Sequence, residues 1–385
     1  MELSSIAMQG TVPATLKCAV QIDTLGKYCY TYNTGCYIYR DACYVPPSGM
    51  IDDIASIAQC KDNSIIINAI VNAKIESKKL QFNFKKCVNM HVGPNKENCE
   101  KLIIHDEQMP TTDKQKYLGD IVSSSGSNQE NIKDRCKTGP SAISQIKSLM
   151  NDISLGKFTI QIGLILRDSI FLSKMLLNSE VWHSLTKNQV EELEIIDRML
   201  LRYTLMSHSK AALEWIYSDT GRYNLRSLIQ VRRLMYLWHI LSRQNDELIH
   251  RVYNTQKVSN SVGDWVRLVN AEKDKLGIDL TDEVIQGVSQ EMFKTYVKKK
   301  VKVNYLKHLN SLKSKHSKSE FLECTDVKMA DYIKDPRLTT RKKQLLLALR
   351  SRTLDVKGNF KNQNPNQWTN RPNNTTAELV KSKAH

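Results

Sequence analysis

At 385 residues and 44.1 kDa, with 41% of residues hydrophobic, the chain can bury one large core or two ordinary ones. Fifty-six Lys and Arg against forty Asp and Glu give a formal charge of +16 and a pI near 9.3, which favours phosphate-backbone partners through counterion release; a basic protein without a polyanion partner has the same composition. The most apolar stretch, residues 160–166, is far shorter than a membrane span, no basic-then-apolar leader opens the sequence, and the nine cysteines form no C-x-x-C pair. These features argue against a membrane protein, a disulfide framework and a zinc knuckle, and the expectation is an intracellular protein of the nucleus or cytoplasm.

In chain order, Met8-Gln9-Gly10-Thr11-Val12-Pro13 comes first and reads as a loop entering a helix. Tyr28, Tyr30 and Tyr32 then alternate with small residues, Asn33-Thr34-Gly35 supplies a turn, and Tyr37 and Tyr39 resume the alternation, which predicts a tyrosine-lined hairpin. Those rings suit either stacking on bases or a half-buried sheet face. Next, Val45-Pro46-Pro47-Ser48-Gly49-Met50-Ile51-Asp52-Asp53-Ile54 puts two carboxylates side by side after a proline-stiffened approach, near a strand-turn-strand tip. Adjacent aspartates there can be a solvated turn, or they can supply the hard oxygen ligands that hold magnesium against a triphosphate. Leu80-Gln81-Phe82-Asn83-Phe84-Lys85-Lys86-Cys87 and Lys116-Tyr117-Leu118-Gly119-Asp120-Ile121-Val122 follow, the second reading as a β-turn.

From about residue 140 to 355 the pattern is almost wholly helical, so the shift suggests a boundary near Gly139 and Pro140. Thr186-Lys187-Asn188-Gln189 opens one helix as a capping box, with Val190, Leu193, Ile196, Leu200 and Leu201 as its apolar face. Arg226, Arg232, Arg233 and Arg243 lie on a later helix, where they either hold duplex phosphates or are solvated. Residues 294–319 hold nine lysines, Lys294, Lys298, Lys299, Lys300, Lys302, Lys307, Lys313, Lys315 and Lys318, with no acidic residue, interleaved with Tyr296 and Tyr305, and this is the strongest candidate for backbone contact with RNA or DNA. The Asn-rich tail from Asn359 is expected to be disordered.

The order of a Gln-Gly segment, an x-x-Asp-Asp turn, an Asn-x-x-Lys segment and a Tyr-Leu-Gly turn resembles the reverse transcriptase of non-LTR retrotransposons, an RNA-directed DNA polymerase. The resemblance covers most of residues 5–360. It implies an α+β fold: a partial right-hand polymerase palm, a hairpin-containing antiparallel sheet with helices, followed by a mostly α-helical thumb and a helical C-terminal region. The corresponding spans are 1–135 for the palm with its primer grip, 136–250 for the thumb, 251–358 for the basic helical region and 359–385 for the tail. By the same resemblance Asp52 and Asp53 are metal-site carboxylates for Mg2+, or Mn2+, with Met50 standing where the family has Phe or Tyr. Gln9 and Gly10 contact nucleotide or template, and Lys86, with Lys85 as its competitor, neutralises the leaving group. Tyr117, Leu118 and Gly119 form the primer grip. Arg232, Arg233, Lys298, Lys299, Lys300 and Lys302 hold nucleic acid. Partners would be an RNA template, a DNA primer and deoxynucleotide triphosphates. Residues 176–182 resemble a thumb signature in which Leu177 and Asn178 replace a Tyr-Gly pair, with Glu180 and Trp182 in structural roles.

The family carries its first metal-binding aspartate several tens of residues before the Gln-Gly motif, whereas eight residues precede Gln9 here. The expectation is therefore a fragment that does not polymerise by itself. Two other readings stand beside it: a non-catalytic nucleic-acid-binding module, and a functionless product of a decayed mobile element.

Overall fold

The computed structural model describes residues 36–38, 43–50, 53–77, 83–92, 102–104, 107–153, 159–183, 185–207, 211–261, 263–313, 326–351 and 353. Among the described residues the chain is mixed α and β and mostly helical, with small antiparallel sheets between Cys36 and Ser123. The strands are β1 (Cys36–Ile38), β2 (Cys43–Val45), β3 (Ser48–Met50), β4 (Asp53–Ala55), β5 (Ile103–Ile104), β6 (Glu107–Gln108), β7 (Lys114–Tyr117) and β8 (Asp120–Ser123), paired antiparallel in sequence order. Two-stranded ribbons this short are marginal alone, so their stability comes from the helices laid against them. Between β4 and β5 lies α1 (Lys61–Ser77), whose Ile67 and Val71 are buried against Ile54, Ala58 and Ile70.

Helices follow: α2 (Gln129–Ile153), α3 (Ile160–Leu166), a π turn at Arg167–Phe171, α4 (Leu172–Met175), α5 (Lys187–Leu205), α6 (Leu213–Thr220), α7 (Leu225–Leu241), α8 (Leu248–Ser259), α9 (Trp265–Leu276), α10 (Asp282–Gly287), α11 (Gln290–Lys313), α12 (Asp331–Lys334) and α13 (Thr340–Arg350). They build two compact units. One comprises the described parts of Met1–Lys137, Leu176–Val190 and Ile229–Lys298; the other those of Thr138–Met175, Glu191–Leu228 and Lys299–His385. The first holds the strands, with α8 packed against β2.

The second unit closes around Ile160, Leu164, Leu201, Leu205, Ile216 and Leu347, all buried. Its C-terminal segment is tied down by Asp219 of α6, which is buried and accepts from the Tyr332 hydroxyl at 2.8 Å and from Arg350 Nε and Nη2 at 3.1 Å. Arg350 also lies over the Trp215 ring, 4.8 Å from its centroid.

Gly139 and Pro140 both sit inside α2, and the division between the two units falls beside them, between Lys137 and Thr138. A Cβ on Gly139 would come within 2.7 Å of Ile196 Cγ2 and 3.1 Å of Met175 Sδ. The glycine therefore answers a close approach of α2 to α5, and the mid-helix penalty of about 1 kcal/mol is the cost of that contact. The capping box forms as the sequence predicts: Thr186 N donates to Gln189 Oε1 at 2.9 Å and Gln189 N to Thr186 Oγ1 at 3.2 Å. The apolar face predicted for α5 is buried throughout.

Of the expected tyrosine hairpin, the strand bearing Tyr28, Tyr30 and Tyr32 and the position of Tyr39 fall outside the described residues. Tyr37 faces Tyr44 across β1 and β2 with ring centroids 5.3 Å apart, and Tyr44 is buried. The tail from Asn359 also lies outside the described residues.

Candidate nucleic-acid and metal site

The acidic turn sits on a tight antiparallel hairpin. Ser48 pairs with Ala55, Gly49 with Ile54 and Met50 with Asp53, so Asp53 opens the return strand, and it is exposed. Asp52, like Gln9 and Gly10, lies outside the described residues. A lone described carboxylate makes no cluster, and among the described residues no group of three or more His, Cys, Asp or Glu comes together. Exposed carboxylate oxygen on a strand end is the kind of hard donor that magnesium takes, so the residue fits the ion expected there.

A second hairpin, β7–β8, brings in the Tyr-Leu-Gly motif. Lys114 pairs with Ser123 and Tyr117 with Asp120, leaving Leu118 and Gly119 as a two-residue turn with φ of 46° and 89°. Two consecutive positive φ values match the mirror-image turn that suits strand twist, and glycine satisfies the second position at no steric cost, whereas leucine at the first is strained. Burial pushes the Tyr117 hydroxyl above its usual range, and the negative charge of Asp53 adds to that shift.

The cations of this region are largely committed. Lys114 and Lys133 both pair with Glu130, at 3.2 and 2.8 Å, and Lys116 pairs with Asp134 at 3.2 Å. Arg135 is buried, ion-pairs with Asp120 and donates to the Gly119 carbonyl at 2.8 Å. These pairs staple the hairpin to the first turns of α2. Lys85 and Lys86 are exposed in a 3-10 turn, with Lys86 N bonded to the Asn83 carbonyl at 2.9 Å; among the described residues no hydrogen bond or ion pair joins Lys86 to Asp53.

Arg233 is corrected by its surroundings. It is 3% exposed, ion-pairs with Glu272 at 2.6 Å through Nη1 and donates to the Trp182 carbonyl through Nη2, so both terminal nitrogens hold α7 to α9 and to the segment before α5. A phosphate cannot reach it in this arrangement. Arg232 is half-exposed; it donates to the Leu176 carbonyl and lies 3.8 Å from Glu180. In the 176–182 segment Trp182 is buried and the Glu180 carbonyl accepts from Trp265 Nε1 at 2.8 Å.

On α11, Lys298 and Lys299 are exposed and Lys300 is half-buried. Lys302 forms an ion pair with Asp326, and Lys294 one with Glu291 at 3.2 Å. The compensating acids thus come from the preceding turn and from a distant segment, which inspection of residues 294–319 alone does not reveal. Tyr305 is not available for stacking on a base: it is buried in the second core and donates to the Arg222 carbonyl at 2.9 Å.

Sequence reasoning passed over Leu177 and Asn178, noting them only as departures from a Tyr-Gly pair. They lie against the turn itself. Asn178 Nδ2 donates to the Leu118 carbonyl at 3.3 Å, and Leu177 Cδ2 stands 2.8 Å from where a Cβ on Gly119 would be. Asn178 has a φ of 56°, which explains why glycine or asparagine is wanted there. Among the described residues no helix is long and apolar enough to cross a membrane. No family model, curated protein or solved structure matches this chain.

Proposed function

We propose that the chain belongs to an RNA-directed DNA polymerase of the non-LTR retrotransposon kind and carries the rear of its palm, the primer grip and the thumb. The observation that supports this most is the pair of tight antiparallel hairpins that carry the motifs: Asp53 opens the return strand of one, and Leu118 and Gly119 form the two-residue turn of the other. A polymerase of this class needs a carboxylate beside the surface that seats a primer end, because nucleotidyl transfer is mainly positioning and charge neutralisation.

In this reading Asp52 and Asp53 hold magnesium, and manganese as a substitute. When bound, the ion supplies charge neutralisation for the triphosphate and acidifies the primer hydroxyl. Gln9 and Gly10 brace template and incoming nucleotide. Lys86, exposed on its short turn, neutralises charge building on the leaving pyrophosphate, as cations do at phosphoryl-transfer sites. Tyr117, Leu118 and Gly119 seat the primer strand. Lys298 and Lys299 contact the duplex backbone without reading its sequence.

The test is fluorescence anisotropy with a labelled RNA template annealed to a DNA primer, titrated at several salt concentrations with and without magnesium and the complementary nucleotide. The proposal expects binding that weakens steeply with salt and tightens when magnesium and the correct nucleotide are both present. Asp52→Asn and Asp53→Asn should abolish the tightening and leave duplex binding intact. Salt-sensitive binding with no nucleotide response would favour a non-catalytic nucleic-acid-binding module, and absence of binding would overturn both.

A further inference from the structure

Residues 326–351 form a strap across α6 and the turn that follows it. Ala330 N donates to the Asp219 carbonyl at 2.9 Å, and the buried Asp219 carboxylate accepts from Tyr332 and Arg350 of the same strap. A Cβ on Gly221 would stand 2.2 Å from Met329 N and 2.3 Å from the Lys328 carbonyl carbon, so the two backbones meet where no side chain fits. Lys343, buried on α13, donates Nζ to the Ile333 carbonyl at 2.6 Å and holds the strap to itself. Asp326 takes part in none of these contacts.

Its carboxylate is instead paired with Lys302 of α11, in the same unit, and the pair is open to solvent: the two side chains are 38% and 39% exposed. The hydrogen bond between them raises the Lys302 pKa and lowers that of Asp326. An ion pair this exposed adds about 0–1 kcal/mol to stability, too little for the strap to depend on it. What the pair alters is the charge that α11 presents. Lys299, three residues earlier, is exposed and joins no ion pair among the described residues, whereas the Lys302 ammonium is met by a carboxylate. Because the strap is anchored at Asp219 and Gly221, that carboxylate stays at high effective concentration beside its lysine.

We infer that Asp326 is an intramolecular competitor for the phosphate backbone: the anchored strap keeps its carboxylate on Lys302, and a duplex gains that lysine only by displacing it. This inference rests on the reading of α11 as a backbone-binding helix and adds to it a limit on affinity set by the chain itself.

The test titrates the full chain with an RNA–DNA duplex by fluorescence anisotropy across a salt series. Asp326→Asn should bind several-fold more tightly than wild type at low salt, with a salt slope steeper by about 0.9, the increment for one added phosphate contact. Asp331→Asn makes the same change of net charge on the same strap, but Asp331 is 94% exposed and pairs with Lys334, so this variant should match wild type. Asp326→Glu, which keeps the carboxylate, should match it too. Adding Lys302→Ala to Asp326→Asn should return both affinity and slope to wild-type values. All of these should melt like wild type, since each substitution is at an exposed or half-exposed surface site. Equal affinity and slope for Asp326→Asn and Asp331→Asn, or a gain that survives Lys302→Ala, would overturn this inference and leave the polymerase reading standing. Failure of wild type and every variant to bind duplex would remove both.

Discussion

Replacing Arg233 with alanine separates a structural arginine from a phosphate-binding one. The side chain is 3% exposed, pairs with Glu272 at 2.6 Å and donates to the Trp182 carbonyl. Truncation would strand the Glu272 carboxylate, itself nearly buried, and leave a buried carbonyl without its donor. Breaking one side of a buried ion pair costs about 3–5 kcal/mol, because the remaining charge keeps its desolvation penalty and loses its partner. With a urea dependence of about 2 kcal/mol per molar, the midpoint for the first unit should fall by roughly 2 M. The double variant Arg233→Met with Glu272→Leu should recover most of that loss, since a packed apolar pair does not suffer from burial. Urea titrations followed by tryptophan fluorescence measure both, and anisotropy on the folded protein should show duplex affinity unchanged. Destabilisation below about 1 kcal/mol, with a drop of about 0.9 in the salt slope for duplex binding, would refute the reasoning and return Arg233 to the nucleic-acid surface.

The exposed lysines of α11 should behave the opposite way. Lys298→Ala with Lys299→Ala should leave stability within about 0.5 kcal/mol of wild type and lower the salt slope, whereas Lys302→Ala should change the slope less because Asp326 already engages its ammonium. Asp219→Asn weakens the charge-assisted bonds to Arg350 and Tyr332, so the 326–351 segment should become sensitive to brief proteolysis while Trp215 fluorescence shifts. Thr186→Ala removes the acceptor for the Gln189 amide and should cost about 1 kcal/mol, read as a shift in the urea midpoint. Burial holds the Glu194 carboxyl above its usual range, against the pull of the Arg226 backbone N–H and the neighbouring Arg198. A raised carboxyl pKa means that the fold favours the protonated form, so this group's contribution is full below the ordinary glutamate value and declines as pH rises through the raised one. Glu194→Gln keeps an acceptor for the Arg226 amide, so the variant should equal wild type near pH 4 and exceed it at pH 7; equal stability at both would show that the carboxyl carries no such penalty.

What the sequence shows most clearly here is local chemistry. The capping box, the apolar face of α5 and the two hairpins follow from short-range rules, in which neighbouring residues supply each other's partners. What it hides is pairing over distance. Nothing near Arg233 announces Glu272, nothing near Lys302 announces Asp326, and Asn178 reads as a lost glycine until its amide is seen on the Leu118 carbonyl.

The helix α11 shows a third limit, set by geometry. Its buried residues, Phe293, Val297, Val301, Tyr305 and Leu309, fall at every fourth position. Four residues turn about 400°, so each step drifts by about 40°, and the buried line has rotated by roughly 160° from first to last. A search for one fixed apolar face averages such a spiral away, which is why the segment reads as lysine-rich rather than as core. Phe293 and Val297 belong to the first unit and Val301, Tyr305 and Leu309 to the second. The lysines occupy the complementary spiral. A charge run read from sequence as one basic strip is therefore a set of cations pointing in successive directions, of which Lys298 and Lys299 stand exposed while Lys302 faces its acid.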